Sequence, residues 1–378
     1  MNRTPCLLSP NGQTVSLGEG PLLQFTVGTV DGIHVLERAA AGQPWSLVHR
    51  SLAGHHVGAL IHDAITGKLL AGLHAPGGIR AAAFAAGRPE HWHAADAGIG
   101  PREVYCLASA AAPGRAMLYA GVDPAALFVS RDGGATWREA EALQHVPDRD
   151  KWTFPVPPHI AHVKALLVHP DDPEVLFVMV EQGGLFRTTD GGESFTEIAG
   201  YSATDDYSYR DIHRLLILPA DERRMMLVTG SGVYRSLDDG MTWAQLSDHQ
   251  ARLGYPDHVF ADPTNYDRLL VAGTDTDPGH WWRTGATCPG LLVSQDGGDR
   301  WQELDLGWPA QAAWSIEAMA QHIWLDDAGL PCGSSLILAT SAGALWISDD
   351  AGRTWSMLDA AVPPVSKESH HRAFAAHA

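Results

Sequence analysis

The chain has 378 residues, 45% of them hydrophobic, and sets 26 Lys and Arg against 44 Asp and Glu for a formal net charge of −18. So acidic a surface repels nucleic-acid phosphates and anionic membranes, and no apolar run is long enough to cross a bilayer as a helix. Small molecules or metal cations are therefore the expected partners, with neither nucleic acid nor membrane among them.

The first 21 residues are punctuated by Gly and Pro and read as an N-terminal extension. They lack the basic-then-apolar layout of a secretory leader, and Cys6, Cys106, Cys288 and Cys332 show no CxxC spacing. Free thiols in a reducing compartment follow, and with them a cytoplasmic location. From Leu22 to Trp45, and again from Lys68 to Trp92, apolar residues alternate in two runs separated by a turn, the pattern of paired antiparallel strands. The same layout returns in AMLYAGVDPAALFVS, VLFVMVEQGGLFRTT, MMLVTGSGVYRS and SLILATSAGALWIS, each leading into a short string that the chain writes five times.

Those strings are SRDGGATW (Ser130–Trp137), TTDGGESF (Thr188–Phe195), SLDDGMTW (Ser236–Trp243), SQDGGDRW (Ser294–Trp301) and SDDAGRTW (Ser348–Trp355). Their aspartates, Asp132, Asp190, Asp238, Asp296 and Asp350, are spaced by 58, 48, 58 and 54 residues, a period typical of repeat architectures. An Asp here can accept hydrogen bonds from amides just downstream, Gly supplies a positive φ, and the aromatic opens the next strand and fills the gap between sheets. The strings are thus turn staples. They resemble the Asp-box of the BNR, or sialidase-like, repeat family, in which the box joins the third and fourth strands of a propeller blade. Five boxes plus two copies with decayed boxes imply one all-β domain over residues 1–378, a seven-bladed β-propeller.

Each blade needs an innermost strand along the central channel, and candidates begin at His56, Glu103, His162, His213, His258 and Glu317. The first blade has none upstream. HRAFAAH (His371–His377) resembles HRLLILP and HVKALLVHP, so a C-terminal innermost strand, residues 371–377, is expected to close the ring and remove its open edge. Aligned on the apolar residues that follow, the strands bring His56, His162, His213, His258 and His371, with Glu103 and Glu317, to one position at the wide mouth of the channel. His322 and His93 would replace the glutamates if the register slips. Converging neutral imidazoles are ligands for a transition metal, and the glutamates would complete the coordination or accept the other ring N–H of a ligand.

This pattern points to a metal-dependent enzyme with one His-held divalent transition metal, Fe(II) favoured with Mn, Zn and Cu as options. It would act on a small, partly apolar or aromatic substrate by oxygenase or lyase chemistry. In architecture alone the arrangement resembles the carotenoid-cleavage oxygenases and propeller-fold oligosaccharide lyases. Long aromatic loops over the mouth offer Trp152, Tyr209, Arg210, Trp281, Trp282 and Trp314 as substrate-binding residues, and Arg214, Arg283 and Arg372 add cations suited to a carboxylate. The alternative is a non-catalytic propeller serving as a binding or assembly scaffold, similar to Asp-box propellers that help build photosynthetic complexes. Glycoside hydrolysis comes third, because the Arg-Ile-Pro motif of sialidases is absent and paired carboxylates are not evident.

Overall fold

Strands such as Leu176–Val180 and Met225–Thr229 are buried along their whole length, as expected of sheets packed on both faces. The computed structural model describes residues 4–112, 115–155, 157–198, 210–219, 221 and 223–377. Seven sheets stand in a ring, each an antiparallel meander of four strands in chain order apart from the additions at the closure. The innermost strands of blades 2 to 7 are His56–Asp63, Glu103–Ala112, Val163–Val168, Ile212–Ile217, Tyr255–Asp262 and Ile316–Leu325. The core lies between blades. Val104, Leu107 and Leu118 of blade 3 pack on Ala59, Ile61 and Leu70 of blade 2, for example.

Close approach between neighbouring sheets requires Gly at Gly121, on the second strand of blade 3. A Cβ there would lie 2.5 Å from Val163 Cγ1 of blade 4.

The ring closes differently from the sequence expectation. Residues 371–377 form no strand; His370–Ala375 is a short helix with Ala373 and Phe374 buried. The innermost strand of blade 1 is Cys6–Leu8, which pairs in parallel with Phe25–Val27, and Val15–Gly18 pairs in parallel with Gln321–Trp324 of blade 7. The stretch between these strands crosses the channel. Asn11 N–H donates to Gly58 O, Asn11 O accepts from Leu107 N–H, and Arg214 Nη2 donates to Pro10 O at 2.9 Å, so three further blades hold it. Strands of three and four residues carry too little alternation to be read from sequence, and the inner edge they occupy leaves no place for a C-terminal strand.

The Asp-boxes behave as staples. In the first, Ser130 Oγ accepts from Gly134 N–H at 2.9 Å and donates to Asp132 Oδ1, while Thr136 N–H and Oγ1 bond the two carboxylate oxygens. The backbone needs two successive positive φ values, 70° and 84° at Gly133 and Gly134. Only the second is kept strictly for Gly. Asp239 and Ala351 take the first position at 63° and 58°. Burial raises the Asp132 and Asp190 carboxyls, but hydrogen bonds from Thr136 and Ser130, and from Ser194 and Thr188, together outweigh it and hold both at about 2. Trp137 closes the seam between blades 2 and 3, its Nε1 donating to Ala95 O at 2.8 Å.

Thr188 is 1% exposed and its Oγ1 accepts the buried Gly192 N–H at 2.9 Å. Thr188→Val should therefore cost about 1–3 kcal/mol in urea unfolding, because it strands that donor. Glu193→Ala, on the exposed tip of the same turn, should stay within about 0.5 kcal/mol.

Candidate functional site

A β-bulge sits near the head of every innermost strand from blade 2 to blade 7. Each inserts one residue that faces no partner, and these are Gly58, Tyr105, Lys164, His213, Asp257 and Glu317. Two positions upstream stand His56, Glu103, His162, Asp211, Tyr255 and Ser315. The backbone thus presents two tiers of polar side chains at the mouth of the channel.

These tiers form a buried ion-pair network. Glu181 bonds His162 Nε2 at 2.8 Å and Lys164 Nζ at 3.2 Å. Asp211 lies 3.8 Å from Lys164 Nζ, 3.1 Å from His213 Nε2, and accepts from Tyr255 Oη at 3.0 Å. Asp257 pairs with Lys367, whose own N–H donates to Glu317 Oε2 at 2.7 Å. Glu317 also accepts from Ser315 Oγ and contacts His370 Nδ1 at 3.2 Å. Burial opposes the charge on Glu181, but the Lys164 ammonium and His162 outweigh it and hold its carboxyl well below the ordinary 4.5. The cavity framed by Lys164, Tyr255, Asp257, Trp281, Glu317 and Lys367 keeps only about 10 Å³ of free space.

On the blade 3 side the mouth is more open. Glu103, its side chain 46% exposed, lies 3.7 Å from His74 Nδ1 and directly opposite Asp123 in the strand register. Tyr105 is sandwiched between His74 (ring centroids 4.5 Å apart) and His162 (3.7 Å, stacked). Burial, with Glu368, Glu181, Asp123 and Glu103 around it, keeps the Tyr105 phenol protonated far above the ordinary 10.0. Burial also raises the Asp123 carboxyl above 3.8; His162 draws it down, while Glu103 and Glu368 add to the rise.

Of the expected metal ligands His56 and His371 approach each other, ring centroids 6.1 Å apart, but the five do not converge. His56 and His162 lie two residues before the bulge, His213 on it, His258 one residue after it, and His371 on the C-terminal helix. An unpaired residue is invisible to an alignment of apolar residues, so one apparent column was three strand positions, with His371 off the strands altogether. His56 Nε2 faces Ser366 O at 2.9 Å, and His213 Nδ1 faces Pro256 O at 2.5 Å. Among the described residues no group of three or more His, Cys, Asp or Glu is placed to hold a metal ion. The donors do not fit Fe(II), Mn, Zn or Cu, and the metal-dependent oxygenase or lyase reading is corrected on that geometry. Glu103 faces Asp123, and Glu317 binds the C-terminal segment, rather than flanking metal ligands.

Of the loop residues, Trp281 does line the mouth, packing on His370 and Phe374. Trp282 lies outside it with its carbonyl toward His377. Trp152 is an interior wedge against Phe186 beneath Arg149, and Trp314 packs on Trp308. Arg210 acts on Glu197 and Asp148 on the outer side of blade 4, and Tyr209 falls outside the described residues. Lys164, Glu181, Asp211, Tyr255, Asp257 and Asp123 were not singled out from sequence. The signal for two of them was present in the strings DIHR and YPDH, where a carboxylate neighbours the histidine that drew attention.

Several mouth imidazoles are held neutral. Burial, then His74, lowers His56 to about 3, and burial, then Arg214, His213 and Lys164, holds His258 well below 6.5. A depressed pKa contributes stability that is present above pH 6.5 and lost as pH falls toward the folded-state value. Chemical unfolding between pH 7 and pH 4 should therefore show stability falling with pH. His258→Leu should flatten that slope by about 1.4 kcal/mol per pH unit, one proton's worth. An unchanged slope would refute the buried neutral imidazole at this position.

Residues 346–357 match the BNR/Asp-box repeat. No curated protein matches the chain. An ancestral GH74 enzyme is similar in structure with a TM-score of 0.54 and 13% identity, over 77% of this chain and 36% of that one, so the chain spans about a third of that enzyme's length. A structure from Bacteroides fragilis NCTC 9343 described as a 6-phosphogluconolactonase gives 0.53 at 13% identity, over 91% of this chain and 96% of the other. YCF48 bound to D1 peptide gives 0.47 at 13% identity, over 78% of each chain. At these identities the likeness is one of fold. Seven sheets in a ring make the chain a seven-bladed β-propeller, and one of its Asp-box turns matches the BNR/Asp-box repeat.

Proposed function

We propose that the chain is a glycoside hydrolase working at the channel mouth, on the strength of the Glu103–Asp123 pair. The two stand opposite each other across the first and second strands of blade 3. Opposed residues of an antiparallel pair rise on the same face with Cβ atoms about 4.5–5.5 Å apart. Burial and the carboxylates of Glu103 and Glu368 favour the protonated form of Asp123, while Glu103 reaches solvent. A proton-holding carboxyl beside an open one is the division of labour that glycosidic cleavage requires.

In this reading Asp123 gives its proton to the glycosidic oxygen as Glu103 attacks the anomeric carbon, and the aglycone leaves. Water then attacks the glycosyl-enzyme ester, passing a proton to Asp123 and releasing the sugar with its configuration retained. Cβ atoms about 4.5–5.5 Å apart let the two carboxyl groups come within the short separation of a retaining pair. An acidic mouth suits neutral or basic sugars rather than acidic ones. The fold likeness to an ancestral GH74 enzyme is compatible with the reading and adds no chemistry to it. One observation favours the scaffold alternative instead: the inner part of the mouth is filled, with only about 10 Å³ free.

Release of sugar from a panel of aryl glycosides and neutral oligosaccharides separates the two. Glu103→Gln and Asp123→Asn should each lower kcat roughly 100- to 10,000-fold. Activity needs Asp123 protonated, so the rate should fall as pH rises through its raised pKa, and Asp123→Asn should lack that alkaline limb. A wild-type rate no greater than that of the double variant on every glycoside would leave the scaffold reading standing.

A further inference from the structure

The segment that fills the mouth is the chain's own C-terminus. Val30 N–H donates to Pro364 O and Val365 N–H to Thr340 O, which anchors the segment to blades 1 and 7. From there it crosses the channel. Ser366 O meets His56 Nε2 of blade 2, Lys367 reaches Asp257 of blade 6, and His377 Nε2 faces Trp282 O at 3.0 Å. The chain reverses at Glu368, a residue with a side chain held at φ 50°, a conformation that costs energy and persists only under such anchoring. Beyond the reversal, Phe374 stacks on Trp281 with ring centroids 6.2 Å apart.

Lys367 enters the charged network with its side chain, beside His370 on Glu317, and it is 5% exposed. Its amine sits against the Asp257 carboxylate, next to Glu317. Burial, then Lys164 and Arg214, pushes that amine well below the ordinary 10.5, while Glu181 and Asp211 act in the opposite direction. Apart from Lys367, the lysine among the described residues that pairs with these carboxylates is Lys164, which contacts Glu181 and Asp211; the other ion-pair partners are histidines. Asp211 already shows the deficit: it is 5% exposed, yet its Oδ1 accepts no hydrogen bond among the described residues and is 3.8 Å from the Lys164 ammonium.

We propose that residues 363–377 are an autoinhibitory strap, and that Lys367 holds in cis a site for the primary ammonium group of an amino-sugar oligosaccharide. The carboxylates of Asp257, Glu317 and Asp211 would take the ammonium, and the ring faces of Trp281 and Tyr255, which line the same cavity, would take the pyranose. Binding displaces the strap and uncovers the inner mouth. The inference rests on the mouth being the ligand-entry face, as the hydrolase reading also does, and it does not require hydrolysis.

Trypsin reports the strap directly, because Lys367 and Arg372 both lie within it. The full-length Glu103→Gln protein is digested briefly with a glucosamine tetramer, with its fully N-acetylated counterpart, or with a lysine tetrapeptide, and cleavage after Lys367 and Arg372 is followed by mass spectrometry. The glucosamine tetramer should speed cleavage by about 10-fold and the acetylated tetramer should not, since a ligand shifts a closed state only by its differential affinity. Lys367→Ala, which removes the competitor, should bind the glucosamine tetramer about 10-fold more tightly in calorimetry. Asp257→Asn should abolish binding; protection in the Glu103→Gln protein remains readable even if either variant fails to fold. Equal acceleration by both sugars, acceleration by neither, or acceleration by the lysine peptide alone would overturn the proposal. Strap release by glucosamine without turnover of any glycoside by the wild type would overturn hydrolysis and leave the strap in place.

Discussion

The mouth of this propeller depends on one backbone device, the bulge at the head of six innermost strands. The extra residue has no partner across the ladder and stands at the mouth with the residue two positions upstream of it. Lys164, His213, Asp257 and Glu317 are buried at that place. Once buried, they must find opposite charge or hydrogen bonds, because an unpaired ion in a low-dielectric interior costs several kcal/mol. The pairing of Glu181 with Lys164, Asp257 with Lys367 and Glu317 with the Lys367 amide follows from that constraint.

The same constraint explains why histidines gather here without forming a metal centre. A neutral imidazole is a cheap polar group to bury, able to accept on one nitrogen and donate on the other. In this channel several of the nitrogens face carbonyls and carboxylates of separate segments: His56 faces Ser366 O of the C-terminal segment, His162 faces Glu181 of its own blade, and His213 faces Pro256 O of blade 6 and Asp211 of its own blade. Convergence on one ion would need those partners on the far side of each ring and a shared height along the axis. Instead the rings stand before, on and after the unpaired residue of their strands, and His371 stands on the C-terminal helix.

What the sequence made legible was local. An Asp-box carries its hydrogen bonds, its positive φ values and its aromatic plug within eight consecutive residues, so five blades could be counted from the strings alone. Strand order within a blade followed from alternation for the same reason. The closing strands were opaque because Cys6–Leu8 and Val15–Gly18 are short and pair in parallel with partners up to some three hundred residues away. The candidate site was half legible: Glu103, His162, His213 and Trp281 were noticed, but Asp123 matters through its position opposite Glu103, a fact of register. Lys367 matters through the route of the C-terminus, which read as a strand and folded as a turn and a helix.

The two short N-terminal strands also set the order in which this molecule can be completed. Their bonds to blade 7 join residues 15–18 to residues 321–324, and their loop touches blades 2, 3 and 5 on the way. Contacts of such sequence separation carry a large loop-closure entropy and form late. On the ribosome residues 15–18 must therefore wait, unpaired at one edge, until residues 321–324 have been translated. Sheets of blades 2 to 6 can assemble meanwhile as an open arc, and the N-terminal thread is the piece that turns the arc into a circle.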